Sequence, residues 1–546
     1  MSTSKEQAER LKAEGNALFA KNDFAGAYKK YTEAIQQDDK NAILYCNRAA
    51  CAFGLNRNRH FDTTLRSLQA TELNPGYAKA WSRLAQAQMS LNRPDQAVNA
   101  WKRALAALPV ENLTAAEKKQ RESYTAELGA VQAKLVDLEA NPREPKEYVR
   151  TRASDRLPWN RAVTLIPGLQ ASRQWNSSAY VIAKANFEWQ QAVEHMKLGK
   201  DVRTPNGLPG YFGKLGVLTG LSNALLSDER VFHIADADFI ERYNKQLMFE
   251  LTQTRAWGDR GARQIMEQIP GRLRSEGWDS VRPAIAVTVR AWIMCAFMEE
   301  KLKNSIEAAL EFYTSALDLL QWGKELWKDV PFEDKGAVFR PTFIRGIKCL
   351  RLDAFMAAYS KDPGENSKYS LNELLAGAED LLAELQDIPE QPGPDMEDSA
   401  FFLSFFRYPL GQAYAMRGFY YHHTGILKRK KEGICEELMK HYMQSSQAYL
   451  KAASYFPIDD EKHAGFLHTA FDVQFDVGGP VNYLLMILDK LNDAIPRMKP
   501  IWEYGADAQY GAHAAFATDL KFREKLSRAA EGVSEEERGR MCMRRD

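Results

Sequence analysis

Lys12 and Asn16 stand four residues apart, and so do Lys79 and Arg83. At that spacing both members of a pair share one face of a helix. Lysine offers a compact charge, arginine a forked set of donors and asparagine a neutral amide donor, so each pair could hold an anion, a carboxylate above all. A lone Lys or Arg on an amphipathic helix is ordinarily just solvated, so the pairs gain meaning only from the frame that positions them. Charge favours an acidic ligand: residues 1–109 hold 16 Lys and Arg against 10 Asp and Glu, while the whole chain is nearly neutral at +1. That near-neutrality argues against a dedicated nucleic-acid binder, for which a basic domain is expected.

Other sets of reactive side chains lack the spacing their chemistry needs. His422–His423 and His463/His468 have no metalloprotease Glu, and their separations put two His on different helix faces, so packing or capping is expected. Gly207, Gly210, Gly213 and Gly216 recur every third residue, which is neither a dinucleotide fingerprint nor a P-loop and predicts a flexible turn. Asp459–Asp460 predicts the N-terminal cap of a helix beginning near Glu461. With no nucleophile elbow, kinase set or zinc-ligand pattern, the expectation is a protein without enzymatic activity, cofactor or metal. The six cysteines (Cys46, Cys51, Cys295, Cys349, Cys435, Cys542) form no C-x-x-C pair and are expected to be reduced. The start of the chain has no apolar signal core and no stretch nears the length of a membrane span, so a cytoplasmic protein off the membrane is expected.

Helix formers dominate the composition and alternating β-branched runs are scarce, which predicts an all-α fold. Within the first hundred residues small and aromatic residues recur together, as Ala27…Tyr31…Ala34 and Ala97…Trp101…Ala104, with Ser67 and Ala70 between them. Ala70 to Ala104 and Pro75 to Pro109 are both 34 residues, whereas Ala34 to Ala70 is 36, which places a two-residue insertion in the turn Leu55–His60. A 34-residue helix–turn–helix period is the signature of tetratricopeptide repeats. Its cause is steric: alanine lets two helices approach and the aromatic ring fills the space beside them.

Over residues 5–109 the chain resembles the tetratricopeptide-repeat family, with Gly15, Ala27, Tyr31 and Ala34 marking the first of three repeats. A stack of three needs a capping helix. Residues 115–140 are predicted to supply it, started by a Thr114/Glu117 capping box, carried by a stripe of Tyr124, Leu128, Val131, Leu135 and Leu138, and stopped at Asn141–Pro142. Within that family the resemblance is to co-chaperones with a carboxylate clamp. It implies that Lys12, Asn16, Asn47, Lys79 and Arg83 line an inner groove that grips the C-terminal tail, Glu-Glu-Val-Asp in type, of a seventy- or ninety-kilodalton heat-shock chaperone. Cys51, Phe53 and the insertion depart from the family pattern and are expected to reshape the pockets that choose between the two chaperone classes.

The remainder reads as a Pro-punctuated linker over 141–185, with cleavage expected between Arg143 and Arg156, then a degenerate helical-repeat region over 186–530 and a charged tail over 531–546. In the second region Ala309, Tyr313 and Ala316 repeat the small–aromatic–small spacing, and Gly418, Tyr421, Tyr449, Ala452 and Pro457 do so more loosely. The chain is therefore expected to be an adaptor whose second region holds a client or another protein. Two alternatives stay open on sequence alone: a scaffold for some other acidic C-terminus, and an all-helical enzyme in the second region that leaves no linear motif.

Overall fold

A computed structural model describes residues 4–55, 67, 70–71, 73–90, 94–109, 111, 113–140, 156–203, 209–258, 261–388, 398–433, 435–505, 508 and 511–543. The fold is all-α, and the chain divides into two compact units, Met1–Pro145 and Lys146–Asp546.

In the first unit the described helices are α1 (Ser4–Ala20), α2 (Phe24–Gln37), α3 (Ala42–Leu55), α4 (Ala78–Ser90), α5 (Pro94–Ala106) and α6 (Ala115–Ala140). Asp23 starts α2 by accepting a hydrogen bond from the Gly26 amide at 2.9 Å, satisfying one of the donors that a helix start leaves free. The predicted repeat is the packing unit. Ala27, Ala34, Ala70, Ala97 and Ala104 have no exposed surface, and Tyr31 and Trp101 are buried beside them. Gly15 shows why the position takes no side chain: a Cβ there would lie 2.8 Å from Tyr31 Cε1, so the ring occupies its space. The capping box closes α6 as expected, with the Thr114 amide donating to Glu117 Oε2 at 2.8 Å and the Glu117 amide to Thr114 Oγ1 at 3.3 Å. The helix docks through Tyr124, whose ring lies 5.2 Å from that of Trp101, and through Val131, with Leu128 and Leu135 partly buried against the same core. The side chain of Leu138, the stop at Asn141–Pro142 and the insertion beyond Leu55 lie outside the described residues.

The second unit begins with α7 (Pro158–Ala171) and α8 (Ser178–Lys197), followed by a hairpin of β1 (Lys200–Arg203) and β2 (Pro209–Phe212) and by α9 (Val217–Ser227). Then come α10 (Phe239–Gln253), α11 (Ala262–Glu276), α12 (Trp278–Lys301), α13 (Ile306–Leu326), α14 (Pro341–Lys361) and α15 (Leu371–Glu384). The last stretch holds α16 (Tyr408–Glu432), α17 (Glu436–Ala453), α18 (Glu461–Asp476), α19 (Val481–Trp502), α20 (Ala512–Ala529) and α21 (Glu535–Arg540). Helices adjacent in sequence pack on one another through most of the unit, as in a helical-repeat array. Ala309, Tyr313 and Ala316 are fully buried, as their spacing predicts. On α16, Gly411, Gly418 and Gly425 face Phe456, Tyr449 and Tyr442 in turn: a Cβ on Gly418 would meet the Tyr449 ring at 2.9 Å, and one on Gly425 the Tyr442 ring at 2.6 Å. Contrary to the expectation that no stretch nears the length of a membrane span, α12 is long and apolar enough to cross one; 72% of its apolar window is buried in the protein's own interior.

Two further expectations need correction. The linker over 141–185 does not reach that far: α7 and α8 occupy its second half, and its first half lies outside the described residues except for Arg156 and Leu157 at its edge. What holds this segment is tertiary bonding that leaves no local signal. Arg161 donates to Pro500 O at 2.6 Å and Lys499 O at 3.1 Å, while Asp459 accepts from Ser177 Oγ at 2.5 Å and from the Ser178 amide at 2.8 Å. Within the charged tail over 531–546, a Ser534/Glu537 capping box starts α21, and Cys542–Met543 pairs antiparallel with Gly479–Pro480. Gly210 sits in a paired strand rather than a flexible turn.

Asp460 caps α18 as expected, accepting from the Lys462 amide at 2.9 Å, but it does more. It has no exposed side-chain surface and also binds Arg230, whose guanidinium reaches Asp228 Oδ2 at 2.7 Å, Asp460 Oδ1 at 2.7 Å and Glu461 Oε1 at 3.3 Å. The Tyr408 hydroxyl donates to Asp460 Oδ2 at 2.6 Å, and the guanidinium stacks 4.0 Å from the centroid of the Trp502 ring. The Arg230 guanidinium and these hydrogen bonds hold the Asp460 carboxyl below its ordinary range despite burial.

Candidate functional site

The first unit contains a cleft of about 430 Å³ walled by α1, α3, α4 and α6. From α1 it receives Asn16 and Phe19, from α3 Cys46, Asn47 and Ala50, and from α4 Lys79, Ser82, Arg83 and Gln86, with Tyr31, Tyr77 and Tyr124 at its walls. Four of the five residues implied by the family resemblance thus meet in one space. Helix geometry accounts for this: Lys79 and Arg83 share a face of α4, and Gln86 extends the same stripe one turn further. No Asp or Glu lines the cleft among the described residues, so two cations face it without an internal carboxylate to neutralise them. Arg83 Nη1 lies 3.5 Å from Gln86 Oε1, a long contact that leaves the fork available.

Lys12 is the exception. It lies one turn before Asn16 on α1, but its ammonium pairs with Glu9 at 2.5 Å and does not line the cleft. The pair is i, i+3, and Glu9 is 58% exposed, so solvent screens it and it is worth only a few tenths of a kcal/mol. Lys12 thus rests on a weak, solvent-screened contact outside the cleft.

The amides of the cleft form a small network. Asn16 Oδ1 accepts from the Tyr31 hydroxyl at 2.7 Å and from Asn47 Nδ2 at 3.3 Å. Burial pushes the Tyr31 phenol up to about 12, so it remains a donor at neutral pH. Tyr124 closes the far wall, its hydroxyl donating to Ser82 Oγ at 3.1 Å. Sequence reading missed Tyr77, Ser82, Gln86 and Tyr124 as cleft residues. Gln86 alone had a signal, standing seven residues after Lys79 and so on the same helical stripe. Cys51 does not line the cleft: it is fully buried in the core of α1–α3, and Cys46 is the thiol that lines the cleft. Burial raises both thiols, Cys51 to about 12, which keeps them protonated and unreactive. The side chain of Phe53 lies outside the described residues. Among the described residues no group of three His, Cys, Asp or Glu is placed to hold a metal. His463 and His468 bond to the Ala453 carbonyl and to Asp519, and His422 and His423 pack against aromatic rings.

No protein-family model matches the chain. It is 41% identical over 98 residues to the heat shock protein sti1 homolog of Schizosaccharomyces pombe, a stretch that makes up 18% of this chain and 16% of that protein. It is 36% identical over 121 residues to the small glutamine-rich tetratricopeptide repeat-containing protein 2 of Saccharomyces cerevisiae, covering 22% of this chain and 34% of that one. Over these stretches the chain is similar to a protein named for heat shock and to one named for its tetratricopeptide repeats. These matches span 16% and 34% of the curated relatives' own length. Among solved structures, the Sgt2 TPR domain from Aspergillus fumigatus is 26% identical, with 27% of this chain and 91% of that one covered and a TM-score of 0.21.

Proposed function

We propose that the chain is a cytoplasmic co-chaperone adaptor that acts by binding, without catalysis, and that its first unit holds the free C-terminus of an acidic tail of the Glu-Glu-Val-Asp type carried by seventy- and ninety-kilodalton heat-shock chaperones. The observation that supports this most is the convergence of Asn16, Asn47, Lys79 and Arg83 on one cleft with no acidic lining among the described residues. A terminal Asp presents two carboxylates a few ångströms apart. Lys79 and Arg83 supply charge and a fork for one, and the two asparagine amides supply donors for the other. Lys12 would join by exchanging Glu9 for the ligand. The relative from Schizosaccharomyces pombe is named a heat shock protein, which fits this ligand class. In the same reading the second unit holds a client or a second protein.

Affinity capture from a cytosolic extract of the source cells tests this. The wild-type chain should retain a chaperone ending in such a tail, and Lys79→Ala should lose it. Retention of a different protein with an acidic C-terminus would keep the cleft but change the partner, and equal capture by both forms would remove the cleft from the function.

A further inference from the structure

We infer that Tyr31 is a positioning residue for the Asn16 amide, setting which of its ends faces the ligand; this rests on the carboxylate-binding reading of the cleft. An asparagine side chain carries an acceptor at one end and two donors at the other, with nearly the same shape. A carboxylate ligand needs the donor end, and a flipped amide would set one oxygen against another. Something must therefore fix the orientation before the ligand arrives.

At Asn16 the fixing group is visible. Its Oδ1 receives the Tyr31 hydroxyl at 2.7 Å and Asn47 Nδ2 at 3.3 Å, which commits the oxygen to the protein and leaves Nδ2 as the end with no partner among the described residues. Tyr31 can serve as this anchor because its ring is immobile, with 2% of its surface exposed and lodged against Gly15 where no side chain competes. The repeat needs only an aromatic ring at this place; the hydroxyl is surplus to packing, and its bonds point at the cleft. A phenylalanine would fill the core equally well but remove the shorter of the two hydrogen bonds that orient the Asn16 amide.

The test is Tyr31→Phe in the full chain, measured by calorimetry with a synthetic peptide ending Glu-Glu-Val-Asp as free acid and as amide, beside Asn16→Ala and the double variant. Loss of preorganised donors to a charged group should weaken the free-acid peptide about tenfold, and the preference for acid over amide should shrink with it. In the Asn16→Ala background the same change should cost clearly less than in the wild type, because Tyr31 acts through the amide that is already gone. A purely structural tyrosine would instead lower thermal stability and weaken both backgrounds alike, and that result, or an unchanged affinity and preference, overturns the proposal. Should Tyr31→Phe not fold, the side-chain amide resonances of Asn16 and Asn47 in the wild-type chain decide. They should shift on titration with the free acid and not with the amide, and resonances that ignore the free acid overturn the proposal. If the wild-type chain itself does not distinguish acid from amide, the carboxylate reading has failed, and the role of Tyr31 falls with it.

Discussion

Replacing Arg83 by alanine is expected to weaken a free-acid Glu-Glu-Val-Asp peptide by about 2 kcal/mol or more, some thirtyfold, with Lys79→Ala close behind. The size follows from what is removed: one side of a charge-assisted contact inside a cleft, leaving the ligand carboxylate without its partner. Neither change should cost comparable stability. Lys79 is exposed and Arg83 half-buried, and among the described residues the Arg83 fork makes a long contact to Gln86. Lys12→Ala should cost less than either, because its gain on binding is reduced by the Glu9 pair that must first open. Titration calorimetry and thermal melts on the same samples check this. A variant that loses as much stability as affinity would mark the residue as part of the scaffold.

The second large effect is on stability. Arg230→Ala should destabilise the second unit by about 3–5 kcal/mol, because it strands the Asp228 and Asp460 carboxylates, whose side chains are 2% and 0% exposed. The same change removes the cation stacked on Trp502. Urea unfolding of the full chain should show this as an earlier transition. Peptide affinity should be untouched at temperatures where the variant is folded, since every proposed ligand-binding residue lies between Lys12 and Arg83. An unchanged unfolding midpoint would mean that the network contributes no more than an exposed ion pair.

How far the sequence could be read depends on whether a contact has a local period. In the first unit it does: Ala27, Tyr31, Ala34 and their counterparts near Trp101 are spaced by the geometry of two packed helices, so the 34-residue repeat announces the fold. The cleft follows from the same frame, because helix register fixes where Asn16, Asn47, Lys79 and Arg83 must face. Register fixes a Cα position and not the choice made by a flexible side chain, which is why Lys12 was expected in the cleft and is found on Glu9. In the second unit the decisive contacts join distant segments. Ser178 meets Asp459 across 281 positions, and no spacing rule signals that. The Gly411, Gly418 and Gly425 series against Phe456, Tyr449 and Tyr442 does have a period, but it is seven rather than 34, running in opposite directions along neighbouring helices. A search for 34-residue repeats picks out Gly418 and Tyr449 and passes over the other members of the series.

The central claim is that the first unit recognises a terminal carboxylate rather than an acidic stretch in general. Calorimetry on the wild-type chain with two peptides of the same sequence ending Glu-Glu-Val-Asp, one a free acid and one an amide, tests it most directly. Amidation removes one charge and leaves every side chain in place, so the donors of Asn16, Asn47 and the cations around them lose the group they serve. The amide is predicted to bind well over tenfold more weakly than the acid. Equal affinity for the two peptides would contradict the account.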